Sequence, residues 1–294
     1  MAGTMDGPNV LELRSVYKSF ARTETEDVTS ALSDISFTLR DGEFLSIVGP
    51  SGCGKSTILR LIAGLIFPTS GTLTLDGEPI VGPAPERGMV FQRPTLFPWL
   101  TVEKNLTFSA RMTGRPMDES YRAEVERLLE VAGLSEFRND FPHQLSGGMA
   151  QRLALIRTMI NHPKVFLLDE PLGALDAFTR MHMQEELLRL WQRSRRMMLM
   201  VTHDIDEALY LGTRVVVMAP RPGRIRADLI IDMPFPRART SDEFLQWRKR
   251  VLELLDFGQT GPSEAPPLPP APSPSRGEGE QQRPEHHRAC GGYS

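Results

Sequence analysis

The stretch GPSGCGKST, residues 49–57, decides the fold of this chain. It follows the pattern G-x-x-x-x-G-K-[ST], and both of its flanks suit that pattern. The apolar run EFLSIVG precedes it and ends in glycine, which is typical of a short buried strand. The apolar residues that follow recur at helical spacing and would share one face: Ile58, Leu59, Ile62 and Leu65. The sequence therefore predicts a strand, a glycine-rich turn and a helix in succession.

A turn of this kind is suited to hold phosphate groups. Its glycines let backbone N–H groups converge on phosphate oxygens, and the following helix adds the positive end of its dipole. Lys55 is placed to reach the β- and γ-phosphates, and Ser56 to place its hydroxyl on Mg²⁺. The whole loop is predicted to bind the nucleotide: Gly49, Pro50, Ser51, Gly52, Cys53, Gly54, Lys55, Ser56 and Thr57.

Cys53 lies inside this loop and has two interpretations. It is either a small residue that the turn tolerates or a thiol whose pKa the helix N-terminus lowers. Under both, we expect alkylation of Cys53 to block ATP binding and ATP to protect the thiol. The other cysteine, Cys290, is far away in the sequence. We therefore expect no disulfide framework and a reducing compartment.

Further buried strands alternate with helices along the chain. Three apolar runs end in acids or proline, as fully buried parallel strands do: VFLLDEP (165–171), MMLMVTHD (197–204) and RVVVMAP (214–220). Residues 178–194 and 204–212 between them have helical patterns. This alternation predicts an α/β fold with a mainly parallel sheet flanked by helices.

Two other regions differ from this alternation. Residues from about 93 to 159 contain two amphipathic helical patterns and no obvious strand, which predicts an inserted helical subdomain. Residues 258–294 are rich in Pro, Gly, Ser and Glu, and we expect them to be a disordered tail. The globular domain is then 10–257, and its last helix is predicted to begin with a capping box of Thr240 and Glu243.

Two neighbouring acids end the segment VFLLDE (165–170). A phosphate loop needs a second carboxylate to hold Mg²⁺ at the end of a neighbouring strand, and Asp169 is in that position. Glu170 comes next and could accept a proton from an attacking water. The alternative is a pair of solvated acids that cap a strand.

With these pieces placed, the chain resembles the nucleotide-binding subunit of an ATP-binding cassette (ABC) transporter over residues 10 to 255. The phosphate loop resembles the family's Walker A motif, and VFLLDEP resembles its Walker B motif with the adjacent glutamate. Four shorter motifs match in order: VFQ (90–92) with the Q-loop, LSGGMAQR (145–152) with the signature, GALD (173–176) with the D-loop and VTHD (201–204) with the switch histidine. Met149 stands where many members have Gln.

The resemblance implies a fold and a set of roles. The fold is a P-loop NTPase core with an N-terminal antiparallel β region and the helical subdomain. His203 would contact the γ-phosphate, and Gln92 would approach Mg²⁺ and the water. Asp176 would communicate across a dimer. The signature residues would bind the γ-phosphate of ATP held by the other subunit: Ser146, Gly147 and Gly148.

One further role is an aromatic side chain that stacks on adenine. Tyr17 and Phe20 are both candidates after the first strand, and the spacing favours Phe20. The alternative is that Phe20 is a buried core residue.

The implied activity is ATP hydrolysis coupled to transport across a membrane. The segment TLFPWLTVEKNL (95–106) is similar to importers of the nitrate, sulfonate and taurine group, and so are residues 183–192 and 201–225. The implied partners are a second copy of the chain, transmembrane permease subunits and, indirectly, a solute-binding protein. An ATPase of a separate-chain exporter is the alternative.

The composition indicates where in the cell the protein acts and argues against other classes of protein. The net charge of −3 gives no support for nucleic-acid binding. The start of the chain lacks a signal-peptide pattern, and no apolar run approaches the roughly 20 residues of a membrane span. We therefore expect a peripheral protein on the cytoplasmic face of the cell membrane. A single phosphate loop, close to the signature, argues against the cassette ATPases of DNA repair and of translation.

Overall fold

The computed structural model describes residues 9–21, 28–173 and 175–256. The predicted tail, 258–294, lies outside the described residues. Within them the strands form two sheets, one of four strands and one of six. None of the described helices combines the length and the apolar character that crossing a membrane requires.

The first sheet is antiparallel and begins the chain. It contains β1 (Val10–Ala21), β2 (Val28–Arg40), β4 (Ser70–Leu75) and β5 (Glu78–Pro79), in the order β2-β1-β4-β5. Alternate residues of β1, among them Leu11 and Leu13, are buried, as expected for a strand with one face on the core. The N-terminal antiparallel region is confirmed.

The second sheet is mainly parallel. Its strands are β3 (Phe44–Val48), β6 (Arg87–Val90), β7 (Val165–Asp169), β8 (Met197–Thr202), β9 (Arg214–Ala219) and β10 (Arg224–Ile230). The order is β10-β9-β3-β8-β7-β6, and only the β9–β10 pair is antiparallel. Every residue of β3, β7 and β8 is buried, which explains their continuous apolar sequences. The predicted α/β fold class is confirmed, although the sequence did not indicate β4, β6 or β10.

Four helices belong to this part of the fold: α1 (Lys55–Ile62), α6 (Ala177–Ser194), α7 (Ile205–Leu211) and α8 (Asp242–Asp256). In α1, Ile58, Leu59 and Ile62 are buried as the spacing predicts. Leu65 differs, because the helix ends at Ile62 and Gly64 turns the chain with a φ of 76°. The Leu65 side chain is therefore 46% exposed and does not join the buried face.

The predicted capping box at the start of α8 is wrong by one residue. The backbone N–H of Phe244 donates to Oγ of Ser241 at 3.3 Å, which makes Ser241 the N-cap. Thr240 and Glu243 therefore do not form the reciprocal pair. Both Thr240 and Ser241 are preferred N-caps, but only Thr240 has a glutamate three residues on, so the capping-box pattern selected the wrong neighbour.

The described elements between residues 93 and 159 are all helical: α2 (Val102–Leu106), α3 (Phe108–Thr113), α4 (Glu119–Val131), two short 3₁₀ turns (Ser135–Phe137 and Pro142–Gln144) and α5 (Gly147–Met159). They share a separate small core to which Leu106, Leu128 and Ile156 contribute. Asn105 is buried there, and its amide bonds the backbone of Phe97. The subdomain boundaries drawn from the sequence stay predictions.

The strand order places the functional motifs together. The phosphate loop follows β3, Glu170 follows β7, His203 follows β8, and Gln92 follows β6. These four strands are consecutive neighbours in one parallel sheet, in the order β3-β8-β7-β6. Their carboxyl ends therefore meet at one edge, where ligands bind in open α/β sheets.

Candidate active site

The phosphate loop depends on Gly54 for its shape. Gly54 is the N-cap of α1 in the left-handed region, with a φ of 97°. A Cβ at this position would lie 2.4 Å from Cδ2 of Leu32 on β2, so both conformation and space require glycine. Lys55 is buried, and its Nζ donates to the carbonyl oxygens of Gly49 at 2.8 Å and Pro50 at 3.1 Å.

Cys53 is enclosed beneath the same loop. Its side chain is 1% exposed, and a Cβ on Gly49 would lie 2.8 Å from its Sγ. Burial raises the pKa of the thiol, although the nearby Lys55 acts in the opposite direction. The hypothesis of a lowered thiol pKa is therefore wrong, because desolvation outweighs the local positive charge. Cys53 is a small buried residue, the other interpretation that its position allowed.

The first acid of the pair contacts the phosphate loop. Ser56 Oγ donates to Oδ1 of Asp169 at 2.8 Å. Asp169 is buried, and this burial raises its pKa, with a further increase from Glu170 and opposing effects of Ser56, Arg60 and Lys55. A solvated strand cap is excluded for Asp169. A hydroxyl and a carboxylate at this distance fit Mg²⁺, which prefers oxygen ligands.

Two other predicted catalytic residues contact the second acid, Glu170. Oε2 of Glu170 accepts a hydrogen bond from Nε2 of Gln92 at 3.2 Å, and Nδ1 of His203 lies 3.2 Å from the same oxygen. Glu170 has a φ of 45°, an uncommon conformation for a non-glycine residue. Two of the candidate catalytic side chains, Gln92 and His203, thus converge on a carboxylate oxygen of the third. Such a group can orient a water molecule.

A cleft of about 360 Å³ lies beside these groups. Its lining combines the phosphate loop with side chains from the strand ends: Ala31, Ser51, Gly52, Gly54, Lys55, Ser56, Thr57, Gln92 and Glu170. The sequence did not indicate Ala31, which lies on β2. Its place in the wall depends on how the antiparallel sheet packs over the loop, as the close approach of Leu32 to Gly54 also shows.

The signature residues do not line this cleft. Ser146 is the N-cap of α5, and its Oγ accepts from the backbone N–H of Met149 at 3.2 Å. Ser146 and Gly147 are exposed, and Gly148 is half-buried. Gln151 on the same helix donates to the carbonyl of Phe91, next to Gln92, at 3.4 Å. The first N–H groups of a helix have no partner within the helix, and here they begin at an exposed turn, which suits an anion from another molecule.

Asp176 also caps a helix. Its Oδ1 accepts from the backbone N–H of Thr179 at 3.1 Å, at the start of α6. This backbone hydrogen bond lowers the pKa of the exposed Asp176 carboxyl. The side chain therefore stays ionised and holds the turn that follows Glu170.

Phe20 is on the surface of β1. Its ring is 43% exposed, and the Lys18 ammonium lies 4.9 Å from the ring centroid. The alternative of a buried core residue is therefore wrong. Phe20 does not belong to the lining of the cleft, and its stacking on adenine stays a prediction.

Sequence reasoning missed a small cavity of about 40 Å³ behind Glu170 and His203. Arg180, Thr202 and Glu207 contribute to its wall. The spacing of Asp204 and Glu207 matches a capping box and gave the only signal. That motif would send Glu207 to the Asp204 backbone, whereas here Glu207 bonds Thr202 instead.

The chain is similar to known proteins of one family. The family described as ABC transporter matches residues 32–173. An ABC transporter ATP-binding protein of Methanocaldococcus jannaschii is 50% identical over 226 residues, which cover 76% of this chain and 84% of the relative. An aliphatic sulfonates import ATP-binding protein of Bacillus cereus is 43% identical over 249 residues, covering 84% and 96%. A taurine import ATP-binding protein of Roseobacter denitrificans is 46% identical over 236 residues, covering 78% and 88%.

A solved structure has the same fold. It is the dimeric structure of a post-hydrolysis state of an ATP-binding cassette bound to ADP and Pi. It matches with a TM-score of 0.68 and 31% sequence identity, and the match covers 76% of this chain and all of the other. Identity at this level extends the likeness beyond the fold to the family. The chain therefore belongs to the ABC transporter family, as one of its ATP-hydrolysing ATP-binding subunits.

Proposed function

We propose that this chain powers an ABC importer for a small solute of the nitrate, sulfonate or taurine kind. The observation that carries the ATPase part is the convergence of Gln92 and His203 on Oε2 of Glu170. The relatives named as sulfonate and taurine import proteins support the direction and the solute group. The chain has no described span of its own, and we place it on the cytoplasmic face of the membrane, bound to permease subunits.

ATP binds in the cleft beside the phosphate loop. Lys55 and the backbone N–H groups of residues 52–57 hold the phosphates, and Phe20 provides a face for adenine. Ser56 and Asp169 hold Mg²⁺, with Gln92 nearby. When bound, Mg²⁺ neutralises charge on the phosphate oxygens. Cleavage of the γ-phosphate then depends on positioning and on electrostatic stabilisation by these groups.

The reacting water lies next to Glu170. Its Oε2 orients the water or accepts a proton from it, while Gln92 restrains the carboxylate from one side. His203 restrains it from the other side and contacts the γ-phosphate. The shared 3.2 Å contacts support these roles, because each neighbour fixes the same oxygen. Positioned carboxylates of this kind contribute about 10²–10⁴-fold to rate.

The signature turn completes the site of a second copy. Ser146 caps α5, Gly147 and Gly148 begin it, and all three lie outside the cleft of their own subunit. We therefore propose a homodimer in which each turn binds the γ-phosphate held by the partner, and Asp176 links the two halves. The dimeric state of the solved relative supports this arrangement.

A second cleft has a volume of about 500 Å³. It lies between β6 and the helices of residues 93–159 and includes Arg87, Met89, Phe97, Phe108 and Arg157 in its lining. Arg157 donates to the Thr95 carbonyl at 2.8 Å. Thr95 is close in sequence to Gln92, so a partner bound there is connected to the ATP site. We propose this surface as the site where the permease binds.

Reconstitution tests the proposal. The chain is combined in liposomes with the permease encoded beside its gene and with the neighbouring solute-binding protein. We expect ATP-dependent uptake of a sulfonate, taurine or nitrate, with ATPase activity stimulated by loaded binding protein. ATP-dependent efflux, or activity that ignores the binding protein, would instead support a separate-chain exporter. The Lys55→Ala variant should not hydrolyse ATP, so it is the control for any uptake that does not depend on hydrolysis.

A further inference from the structure

His203 is held by its backbone more than by its ring. The side chain is 65% exposed and contacts the Glu170 carboxylate through Nδ1. Packing therefore does little to fix the imidazole. Its position depends on the turn between β8 and α7, which contains residues 202–204.

Hydrogen bonds fix both neighbours of His203. Thr202 is buried, and its Oγ1 accepts the backbone N–H of Asp204 at 3.1 Å and donates to Oε2 of Glu207. Oδ1 of Asp204 accepts the N–H groups of Asp206 at 2.9 Å and Glu207 at 3.1 Å. The turn is thus closed by a chain of bonds that ends on the Glu207 carboxylate.

Stability alone does not account for an acid at this position. Glu207 is 4% exposed, and its Oε1 has no hydrogen-bond partner within 3.5 Å among the described residues, although the Gln184 side chain is close enough to stabilise the charged carboxylate. Burying a carboxyl group with an unpaired oxygen is unfavourable. A buried carboxyl group with an unpaired oxygen is more typical of a functional site than of a helix cap.

The cavity beside Glu207 also adjoins the turn that follows Glu170. Arg180 lines the same small cavity, together with Glu170 and His203. Its guanidinium donates to the carbonyl oxygens of Leu172 at 3.3 Å and Leu175 at 2.8 Å, which belong to the turn after Glu170. The walls of this cavity therefore support both sides of the contact between Glu170 and His203.

We propose that Glu207 is a positioning residue for ATP hydrolysis. Acting through Thr202, it holds the β8–α7 turn so that His203 stays within reach of Glu170 and of the γ-phosphate. The proposal rests on the role proposed above for His203, and it adds a residue that contacts neither ATP nor the reacting water.

The test measures steady-state ATPase activity of the full chain. We expect Thr202→Val and Glu207→Ala each to lower kcat by about 10-fold or more, as loss of a supporting residue often does. KM for ATP should stay within about twofold, because the phosphate loop is untouched. Glu207→Gln keeps an acceptor oxygen for Thr202 and should recover most of the activity. Thr107→Val is the matched control, since Thr107 is a buried threonine whose hydroxyl bonds a helix carbonyl in α2.

A double-mutant comparison separates positioning from general destabilisation. If Thr202 and Glu207 act through His203, adding Thr202→Val to His203→Ala should lower kcat no further than His203→Ala alone. Multiplying losses would overturn the proposal, and so would Thr202→Val at the wild-type rate. Thr202→Val keeps the shape of the side chain, so the test does not depend on Glu207→Ala folding.

The activity of His203→Ala separates a failure of the role proposed for His203 from a failure of the role proposed for Glu207. If His203→Ala hydrolyses ATP at the wild-type rate, the proposed role of His203 fails and this proposal fails with it. If His203→Ala is slow while both Thr202→Val and Glu207→Ala are normal, only the positioning role is overturned. Thermal unfolding of each variant, with and without ATP, checks that the slow variants are folded.

Discussion

Ser56 and Asp169 share a hydrogen bond of 2.8 Å although 113 residues separate them. One belongs to the first turn of α1 and the other ends β7. The bond joins the two side chains proposed to hold Mg²⁺, and Ser56 lines the same cleft as Lys55 and Glu170. The two proposed ligands therefore already lie together in the folded chain.

Replacing Asp169 with Asn should separate metal use from nucleotide binding. The change keeps the shape but removes the negative charge, so we expect kcat with Mg²⁺-ATP to fall at least about 100-fold. Binding of ATP in EDTA should change little, because Lys55 and the loop are intact. A steady-state ATPase assay measures kcat, and titration of a fluorescent ATP analogue with and without Mg²⁺ measures binding. Equal affinities for the variant and the wild type in Mg²⁺ would remove Asp169 from the metal site.

Glu170→Gln should arrest the cycle after ATP binding. The amide keeps the contacts around this position but is a poor base, so we expect kcat to fall by about 10²–10³-fold. ATP binding should persist and hold two subunits together, which size-exclusion chromatography with ATP detects as a dimer. A Glu170→Gln variant that turns over at the wild-type rate would exclude Glu170 as the base.

Ser146→Trp should spare ATP binding to a single subunit and abolish hydrolysis. The exposed turn of α5 would no longer fit the γ-phosphate of a partner, whereas the subunit's own cleft is unaffected. Mixing this variant with Lys55→Ala gives a sharper test, since each variant alone is inactive. A mixed dimer has one composite site with an intact loop and an intact turn, so partial activity should return. Two inactive variants that stay inactive when mixed would contradict the shared site.

Glu207→Gln should change how stability depends on pH. Burial raises the pKa of the Glu207 carboxyl, and Asp204 acts in the same direction, whereas Thr202, Gln184 and Arg180 act against it. The folded state therefore keeps this proton to a higher pH than the unfolded state does. Below the unfolded pKa of about 4.3 the neutral acid contributes fully, and this contribution is lost as the pH rises through the folded pKa.

The side chain of the Glu207→Gln variant does not ionise. Its free energy of unfolding, relative to the wild type, should therefore increase from about pH 4.3 upwards and then level off. Urea unfolding at several pH values measures this difference, with Glu253→Gln on the exposed face of α8 as the control. A difference that stays constant with pH would show that Glu207 has an ordinary pKa.

Cys53 should react slowly with alkylating reagents. Its thiol is buried with a raised pKa, so little thiolate is present at neutral pH. With Cys290→Ser to remove the other thiol, we expect labelling slower than that of a free thiol, slower still with ATP, and loss of ATP binding once labelled. Mass spectrometry follows the modification, and unchanged ATPase activity after complete labelling would contradict the expected block.

The sequence by itself determined the local elements. The strand–loop–helix unit around Lys55 could be predicted because its glycines, lysine and apolar spacing are fixed by nearest-neighbour geometry and helix periodicity. The buried strands β7, β8 and β9 were evident from continuous apolar runs. Ser146 at the start of α5 was evident for a similar reason, since a serine before glycines and a helix is a local signal.

Only the tertiary structure decided what these elements bring together. The Ser56–Asp169 bond, the convergence of Gln92 and His203 on Glu170, and the bond from Thr202 to Glu207 all depend on strand order and packing. The buried state of Cys53, opposite to one reading of its motif, has the same origin. Patterns in a sequence encode contacts within a few residues, whereas desolvation and side-chain convergence are set by whatever strand or loop arrives from elsewhere in the chain.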